Sequence, residues 1–244
     1  MMTVQDALIA LWETLAESPL LWLVITLGAY QMSRELVKRV KSTLLNPVLI
    51  SIMIVAAILW STGTSYDHYF ERVQLIHLLL GPATVALAVP LYTYVKRIRE
   101  NAVPLLVALF AGSLTAVLSA LGLGAVLGAE VTTLLSLAPK SVTTPIAMGV
   151  TEEIGGLPPL TAVLVILTGI FGAVIASPLL RLLRVTDRGA RGFAIGLASH
   201  GIGTARAFEM DETTGAFSGL GMGLNGILTA LIVPILIMLL GLSG

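Results

Sequence analysis

Residues 137–145 read Leu-Ala-Pro-Lys-Ser-Val-Thr-Thr-Pro, a polar run with two prolines and a lysine inside a long apolar region. Bilayer hydrocarbon offers no hydrogen-bond partners, so an interrupted polar backbone is tolerated there only where protein buries it or where it lines a cavity. A lysine at membrane depth, here Lys140, is costly and indicates a functional site. We interpret this run as one half of a binding site and residues 199–204, Ser-His-Gly-Ile-Gly-Thr, as the other half.

The composition around this run is that of a membrane protein. Of the 244 residues, 56% are hydrophobic and 11% are charged, whereas soluble domains carry about 25% charged residues. The mean hydropathy is +0.95. A net charge of zero gives no indication of a nucleic-acid partner, and the lack of cysteine excludes disulfides and thiolate metal sites. We therefore predict an all-α polytopic protein whose surroundings are the lipid bilayer, and we expect no cleaved signal peptide.

Apolar segments separated by polar loops predict about seven to eight membrane elements. An interfacial helix is expected over residues 4–16. The predicted spans are 19–33, 44–62, 75–95, 102–128, 158–180 and 216–240, with structural breaks at Pro82 and Pro90 in the third. Basic residues cluster in the loops 34–41, 96–99 and 181–191, and the positive-inside rule assigns these loops to the cytoplasm. The N-terminus is then outside, in the cell inner or plasma membrane.

This orientation predicts a re-entrant hairpin. The span 102–128 starts inside and ends outside, and the span from Pro158 must end inside at the basic loop 181–191. Residues 131–151 therefore leave and return on one side, with a tip between the breaks Pro139 and Pro145. The prediction would change if residues 102–128 formed two short spans.

A weak internal similarity at an offset of 57 residues predicts an inverted repeat over about 75–128 and 131–184. Pro82 matches Pro139, and Gly112 matches Gly169. Spans that run in opposite directions and broken helices near the midplane are typical of inverted-repeat carriers. Chance alignment of two regions rich in glycine and alanine is the alternative.

The run at 137–145 offers hydrogen-bond donors to an anion. Thr144 is the predicted N-cap and Pro145 the first residue of a short helix to Val150, an order that helix starts favour. The N–H groups and positive dipole end of such a helix attract anions, and Lys140, Ser141 and Thr143 add further donors. A small carboxylate is the expected guest. The alternative is that these groups satisfy one another and stabilise a kink.

The second half of the predicted site lies in residues 192–207. Glycines around Ser199 and His200, including Gly201 and the predicted break Gly203, disfavour a continuous helix. Thr204 is the expected cap of a second half-helix. His200 could donate a hydrogen bond or carry a proton in coupled transport. A hydrogen-bonded structural histidine is the alternative.

Arg206 lies in this second half-helix and could hold a carboxylate in bidentate fashion. An ion pair with Glu209 or Asp211 is the alternative. Asn225, in a glycine-rich part of the last span, either faces the cavity or serves helix packing. The histidines at 68, 77 and 200 lie far apart, so we expect no metal site and no cofactor. Because no nucleophile, base and orienting acid can be assigned, we also expect no enzymatic activity.

Three stretches resemble the signature stretches of the LrgB family: Leu-Gly-Pro-Ala-Thr-Val-Ala-Leu-Ala-Val-Pro-Leu-Tyr at 80–92, Pro-Lys-Ser-Val-Thr-Thr-Pro-Ile-Ala-Met at 139–148, and Ala-Ser-His-Gly-Ile-Gly-Thr-Ala-Arg at 198–206. The resemblance implies a single LrgB-like integral membrane domain over residues 1–244. Bacterial members, including the CidB type, are described as antiholin- or holin-like modulators of murein hydrolase activity and autolysis, usually with a small LrgA- or CidA-like partner membrane protein. Plant relatives act as a plastid glycolate/glycerate translocator.

The resemblance also connects some bacterial members with pyruvate uptake and groups the family with bile acid:sodium symporter-like carriers. It therefore implies a broken-helix, carrier-like bundle and makes a homodimer a reasonable expectation. The leading hypothesis is a carrier of small monocarboxylates, and the alternative is a holin-like component that controls murein hydrolase export. The residues expected to bind substrate are Lys140, Ser141, Thr143, Thr144, Ser199, His200, Gly201, Thr204 and Arg206.

Overall fold

The computed structural model describes residues 12, 14–40, 45, 47–86 and 88–242, and all of the regular structure in these ranges is helical. The contacts divide the chain into two compact units, Met1–Ala86 and Leu87–Gly244. The expected interfacial helix at 4–16 lies largely outside the described residues. The single integral domain stays a prediction from the family resemblance.

Four helices with defined bounds lie in the described residues of the first unit. They are α1 (Pro19–Val40), α2 (Pro47–Thr62), α3 (Tyr66–Arg72) and α4 (Gln74–Ala86). Helices α2 and α3 meet at an angle of 118°, and the Ser65 side chain caps α3 by accepting from the His68 N–H. Trp22 is fully buried and donates from Nε1 to the Ala16 carbonyl at 2.7 Å.

Two features of this unit differ from the sequence prediction. The first helix continues to Val40, so Lys38 and Arg39 form its last turn instead of a loop. Lysine and arginine are good helix formers, and positive charge is favourable at a helix C-terminus. Pro82 lies inside α4, which continues to Ala86. Proline in a helix interior removes a hydrogen bond and disfavours the helix, but helices in membranes tolerate it because neighbouring groups satisfy the freed carbonyl.

Eight further helices lie within residues 88–242 of the second unit. They are α5 (Ala88–Thr93), α6 (Val95–Glu100), α7 (Ala102–Val126), α8 (Val131–Leu137), α9 (Thr144–Glu153), α10 (Pro158–Leu182), α11 (Arg188–Met210) and α12 (Glu212–Leu239). The predicted span 75–95 is thus distributed over α4 and α5, and Pro90 lies within α5. Among the described helices, α7, α10 and α12 are long and apolar enough to cross a membrane, and the bent pair α2–α3 could add a fourth.

The long helices of the second unit run between two ends. At the basic end, which comprises residues 94–101, 181–191 and 211–217, Arg97 pairs with Asp187 at 2.6 Å. Thr213 donates to the Tyr94 hydroxyl at 3.0 Å at the same end. Helices α7 and α12 both start at this end, whereas α10 finishes there at Leu182.

At the opposite end, defined by residues 126–136 and 151–161, Thr151 and Thr161 share a hydrogen bond of 2.9 Å. Leu121 of α7 packs in one cluster with Ile237 of α12. Because α10 begins at this end, it runs antiparallel to α7 and α12.

Candidate functional site

Helices α8 and α9 form a hairpin whose tip, residues 138–143, lies at the middle of the second unit. They contain seven and ten residues, whereas about 20 are needed to span a bilayer. Pro139, Ser141 and Val142 are buried. The chain folds back after this tip, because the Leu157 N–H donates to Ser136 Oγ at 2.8 Å. A helical hairpin therefore lies where the sequence predicts one, and its re-entrant insertion into the membrane stays a prediction.

The N-terminus of α9 is one residue earlier than predicted. Thr143 is the N-cap, with an extended backbone and no side-chain cap bond, and Thr144 is the first helical residue. Pro145 stands in the first turn, where a missing N–H costs nothing. Thr143 and Thr144 are half-buried. Half-buried Lys140 places its Nζ 3.4 Å from Ser141 Oγ, and no ion pair of the described residues involves it.

Helix α11 consists of two helical arms that form a second hairpin, and the break between the arms is at His200. The His200 backbone has φ 42° and ψ −136°. After His200 the chain folds back. The evidence is the distance between Gly203 and Ile195: a Cβ on Gly203 would lie 3.0 Å from Ile195 Cγ2, whereas a straight helix would separate the two residues by about 12 Å. Ile195 also packs with Ala207. Residues 188–199 form the outgoing arm and residues 201–210 form the return arm.

This reversal corrects two sequence predictions. Thr204 is not the cap of the second half-helix. It lies inside the return arm, where its hydroxyl donates to the His200 carbonyl at 2.8 Å. Gly203 is not the break itself, and it is needed because the two arms approach closely there. The break falls at a histidine because the local glycines permit a turn without fixing its position.

His200 is buried and joins its hairpin to α10. Its Nε2 lies 2.9 Å from the Val165 carbonyl oxygen, and a carbonyl can only accept, so Nε2 carries the proton in this contact. Gly169 and Gly172 of α10 make room for the tip, since a Cβ on either would collide with the side chain of His200 or Ser199, respectively. Val165 also packs against Val142 of the first hairpin. Both tips therefore meet α10 at Val165.

Asn225 of α12 lies between the two tips and is 1% exposed. Its Nδ2 donates to the Leu197 carbonyl at 3.0 Å and approaches the Ser141 carbonyl at 3.4 Å. Its Oδ1 accepts from the Ser113 hydroxyl of α7. One amide thus connects both hairpins and two spans. From the sequence alone, Asn225 could either face the cavity or serve helix packing. The feature that singled it out was its position as an amide in an apolar, glycine-rich helix.

Other predicted site residues have different surroundings. Thr204 and Ser218 share a hydrogen bond of 2.9 Å on the side of the return arm that faces α12, and Gly201 is half-buried at the tip. Arg206 does not lie at the hairpin tips, because it is six residues beyond His200, about 9 Å along the return arm. It pairs with Glu209 at 2.7 Å, which is the alternative that the sequence left open.

The part of the chain that the structure describes contains no group of three or more His, Asp or Glu side chains that could hold a metal ion. His68 belongs to the first unit, where its Nε2 lies 3.1 Å from the Ala16 carbonyl oxygen. The site at the hairpin tips is therefore built from hydroxyls, one amide, one imidazole and one ammonium group, a set suited to hydrogen-bonding an anion.

Comparisons with known proteins give one consistent result. The model of the LrgB-like family matches residues 26–239. The uncharacterized protein YwbG of Bacillus subtilis is 35% identical over 215 residues, which cover 88% of this chain and 96% of that protein. The holin-like protein CidB of Staphylococcus epidermidis is 32% identical over 219 residues, 90% of this chain and 96% of the relative. CidB of Staphylococcus aureus is 34% identical over 221 residues, with the same coverage. No solved structure matches.

Proposed function

This chain belongs to the LrgB-like family of membrane proteins, and we propose that it is a carrier of small monocarboxylates of the pyruvate, glycolate and glycerate class. The observation that supports the proposal is the convergence of two oppositely inserted helical hairpins on Asn225. A hole through a membrane does not require two broken helices, whereas carriers bind substrate where discontinuous helices meet near the midplane. We propose that the protein is not an enzyme.

The chemistry at the two tips favours a carboxylate. Helix α9 and the return arm of α11 both start at the tips, and helix N-termini attract anions. Lys140 adds a positive charge without an ion-pair partner among the described residues. The residues that we propose for substrate binding are Lys140, Ser141, Thr143, Thr144, Ser199, His200, Gly201 and Thr204. Arg206 is not among the proposed substrate-binding residues, because it already forms an ion pair with Glu209.

The arrangement of elements supports an inverted repeat with boundaries other than 75–128 and 131–184. Helices α7 and α10 have 25 residues each and run in opposite directions. Each is followed by a hairpin, and the offset of 57 residues maps Val131–Glu153 onto Arg188–Met210. We propose residues 102–153 and 158–210 as the two repeats. Alternating access would then move one part of this unit around the central site.

The remaining parts of the proposal concern the membrane. We propose a multi-pass protein of the cell inner or plasma membrane with seven to eight membrane elements, an outside N-terminus, and the basic end of the second unit in the cytoplasm. A homodimer is part of this proposal. So is a small LrgA- or CidA-like membrane protein as partner.

Uptake of radiolabelled pyruvate and glycolate into proteoliposomes tests the carrier. We expect saturable uptake, and we expect Lys140→Gln to lower it about tenfold or more, because a charge-assisted hydrogen bond contributes about 1.5–3 kcal/mol. Arg206→Gln is the matched control and should change uptake by less than about fivefold, since exposed ion pairs contribute about 0–1 kcal/mol. Equal effects of the two variants would contradict the site, and absence of saturable uptake would contradict the carrier.

A second function is favoured by the name of two relatives, holin-like protein CidB. In this alternative the chain is a pore or regulatory component that modulates murein hydrolase export and autolysis. It predicts release of large trapped dyes from the same proteoliposomes, without competition by pyruvate. Retention of the dyes together with saturable pyruvate uptake would exclude it.

A further inference from the structure

A cleft of about 440 Å³ lies in the second unit, away from the hairpin tips. Its walls are the first half of α7, the outgoing arm of α11 and Phe217 of α12. Along α7 the lining extends from Asn101 to Gly112, a distance of about 16 Å at the helical rise. The hydrocarbon layer of one leaflet is about 15 Å thick, half of the bilayer core. The cleft is therefore as deep as one leaflet.

The walls of this cleft are apolar. Leu105 and Ala108 line it from α7, and Phe193 and Ala194 line it from α11. Its inner end is closed by Leu197, whose side chain lies against Gly112, where an added Cβ would be 3.0 Å from Leu197 Cδ1. A small hydrophilic acid would lose its hydration against such walls, whereas an acyl chain can lie there without cost, because lipid tails are as apolar as the leucine side chains that line the cleft.

The mouth of the cleft holds the ion pair of Arg97 and Asp187, and the segments around it carry a net positive charge. Arg97 stands at the mouth, with its guanidinium 5.4 Å from the centre of the Phe217 ring and one Nη donating to Asp187. Its side chain is 40% exposed, so other donors of the fork can reach a ligand. The flanking segments 95–101 and 181–191 carry seven basic and two acidic residues. Such a rim attracts anionic headgroups, and basic pockets between membrane helices bind lipid phosphates.

We infer that this cleft is a binding site for an anionic phospholipid, whose phosphate pairs with Arg97 and whose acyl chain lies between α7 and the outgoing arm of α11. The occupied arm leads directly to the break, because Leu197 is three residues before His200. The site is independent of the proposed carrier function, since none of the residues at the hairpin tips lines the cleft.

Native mass spectrometry of the full-length chain, titrated with phosphatidylglycerol or phosphatidylcholine of the same acyl composition, tests this site. We expect at least one phosphatidylglycerol to be retained about fivefold more tightly than phosphatidylcholine, the preference that one basic residue near the membrane surface provides. Arg97→Gln should remove the preference, and Arg97→Lys should retain part of it. Arg99→Gln is the matched control, because Arg99 is an exposed residue of the same helix that does not line the cleft.

Filling the apolar part tests the acyl chain separately. Ala194→Phe and Ala108→Leu narrow the cleft from opposite walls. Each should weaken retention of both lipids about fivefold or more, because the added side chain occupies the space of the acyl chain and overpacking costs about 1–3 kcal/mol. Thermal denaturation reports whether either variant is misfolded. Two results would overturn the site. The first is that phosphatidylglycerol is retained unchanged by Arg97→Gln and by every correctly folded filling variant. The second is that millimolar pyruvate displaces the bound lipid, which would assign the cleft to the substrate instead. Loss of pyruvate uptake has no bearing on these lipid measurements, so the two proposals fail separately.

Discussion

His200 shows how a single residue can mark a site. Its φ of 42° is uncommon for any residue other than glycine, and backbone held in sparsely populated regions costs about 1–3 kcal/mol. Such strain persists only where the surroundings over-determine it, and here the bond to Val165 and the close-fitting glycines of α10 do so. Strained backbone concentrates at functional sites. The histidine is kept at a position where glycine would be easier.

We predict different outcomes for two substitutions of His200. His200→Gly loses the bond to Val165, worth about 1 kcal/mol, but relieves the strained backbone, so the folded state should keep its thermal stability within a few degrees. His200→Ala loses the same bond and keeps the strain, so it should be about 1–2 kcal/mol less stable than His200→Gly. Thermal denaturation in detergent measures both. Equal stabilities would show that the backbone is not strained, and normal pyruvate uptake by His200→Gly would remove the imidazole from the site.

Asn225 permits a second test at this scale. Asn225→Ala leaves the Ser113 hydroxyl without its acceptor and the Leu197 carbonyl without this donor in a buried place, which should cost about 1–3 kcal/mol. The neighbouring Thr229→Val removes only a long contact of 3.4 Å to the same amide and is the matched control. Chemical denaturation of both variants checks the prediction. A loss of stability as large in Thr229→Val as in Asn225→Ala would contradict the central role of the amide.

At the scale of elements, α11 and α12 are packed with backbone touching backbone. A Cβ on Gly196 would overlap the carbonyl oxygen of Ser218, and one on Gly192 would overlap that of Thr214. Close approach of this kind is what small residues provide in membrane helices. It lets α12 contact both arms of the hairpin, since Gly196 of the outgoing arm and Thr204 of the return arm both reach Ser218.

We predict that Gly196→Ala disrupts this packing, because backbone cannot move aside as a flexible side chain can. It should cost several kcal/mol or prevent folding, since overpacking a tight interior alone costs about 1–3 kcal/mol. Gly223→Ala, on α12, is the matched control: nothing lies within 4 Å of its added Cβ, and alanine favours the helix by up to about 1 kcal/mol. Yield and thermal stability measure both variants. A tolerated Gly196→Ala would contradict the close contact.

Asp211, between α11 and α12, makes a pH-dependent contribution. Its carboxylate caps α12 by accepting from the Thr214 N–H at 2.9 Å and from the Thr214 hydroxyl at 2.6 Å. Burial alone would raise the pKa of this carboxyl, but the hydrogen bonds from Thr214 outweigh burial and the pKa is lowered. The capping stability is therefore present above the usual carboxyl pKa and is lost as pH falls through the lowered one.

We expect Asp211→Ala to cost about 1 kcal/mol at neutral pH, the value of a typical N-cap. The difference from the parent chain should shrink under acid conditions, because the parent then loses its own charged cap. Thermal denaturation of both chains across about pH 3–7, which includes the usual carboxyl pKa, checks the direction of this pH dependence. A difference that grows as the pH falls would contradict the capping role.

At the scale of the whole molecule, the contacts of the second unit place the loops before and after α11 at the same end. Arg97 pairs with Asp187, and Tyr94 accepts from Thr213. A helix that crossed the bilayer would separate these loops by about 30 Å. Both ends of the second hairpin therefore lie at the basic end of this unit, and both ends of the first hairpin lie at the opposite end.

The absence of cysteine in the sequence makes this arrangement directly testable. Single cysteines at Thr186, Glu212 and Glu130, all exposed, are labelled with a membrane-impermeant maleimide in intact and in permeabilised cells. We expect Thr186→Cys and Glu212→Cys to react only after permeabilisation and Glu130→Cys to react in intact cells, because the proposed topology places the basic loops in the cytoplasm. Opposite accessibility of Thr186→Cys and Glu212→Cys would show that α11 crosses the membrane.

The sequence by itself determined the membrane class, the helical hairpin around Pro139 and Lys140, and the presence of a break near His200. These features follow from local chemistry, because polar residues, prolines and glycines in an apolar run restrict the backbone wherever they occur. Only the tertiary structure decided that the break at His200 is a complete reversal, that Arg206 pairs with Glu209, and that Asn225 connects the tips. Each of these depends on which side chain lies opposite another after packing, and residues as far apart as Ser141 and Asn225 carry no local signal of that contact.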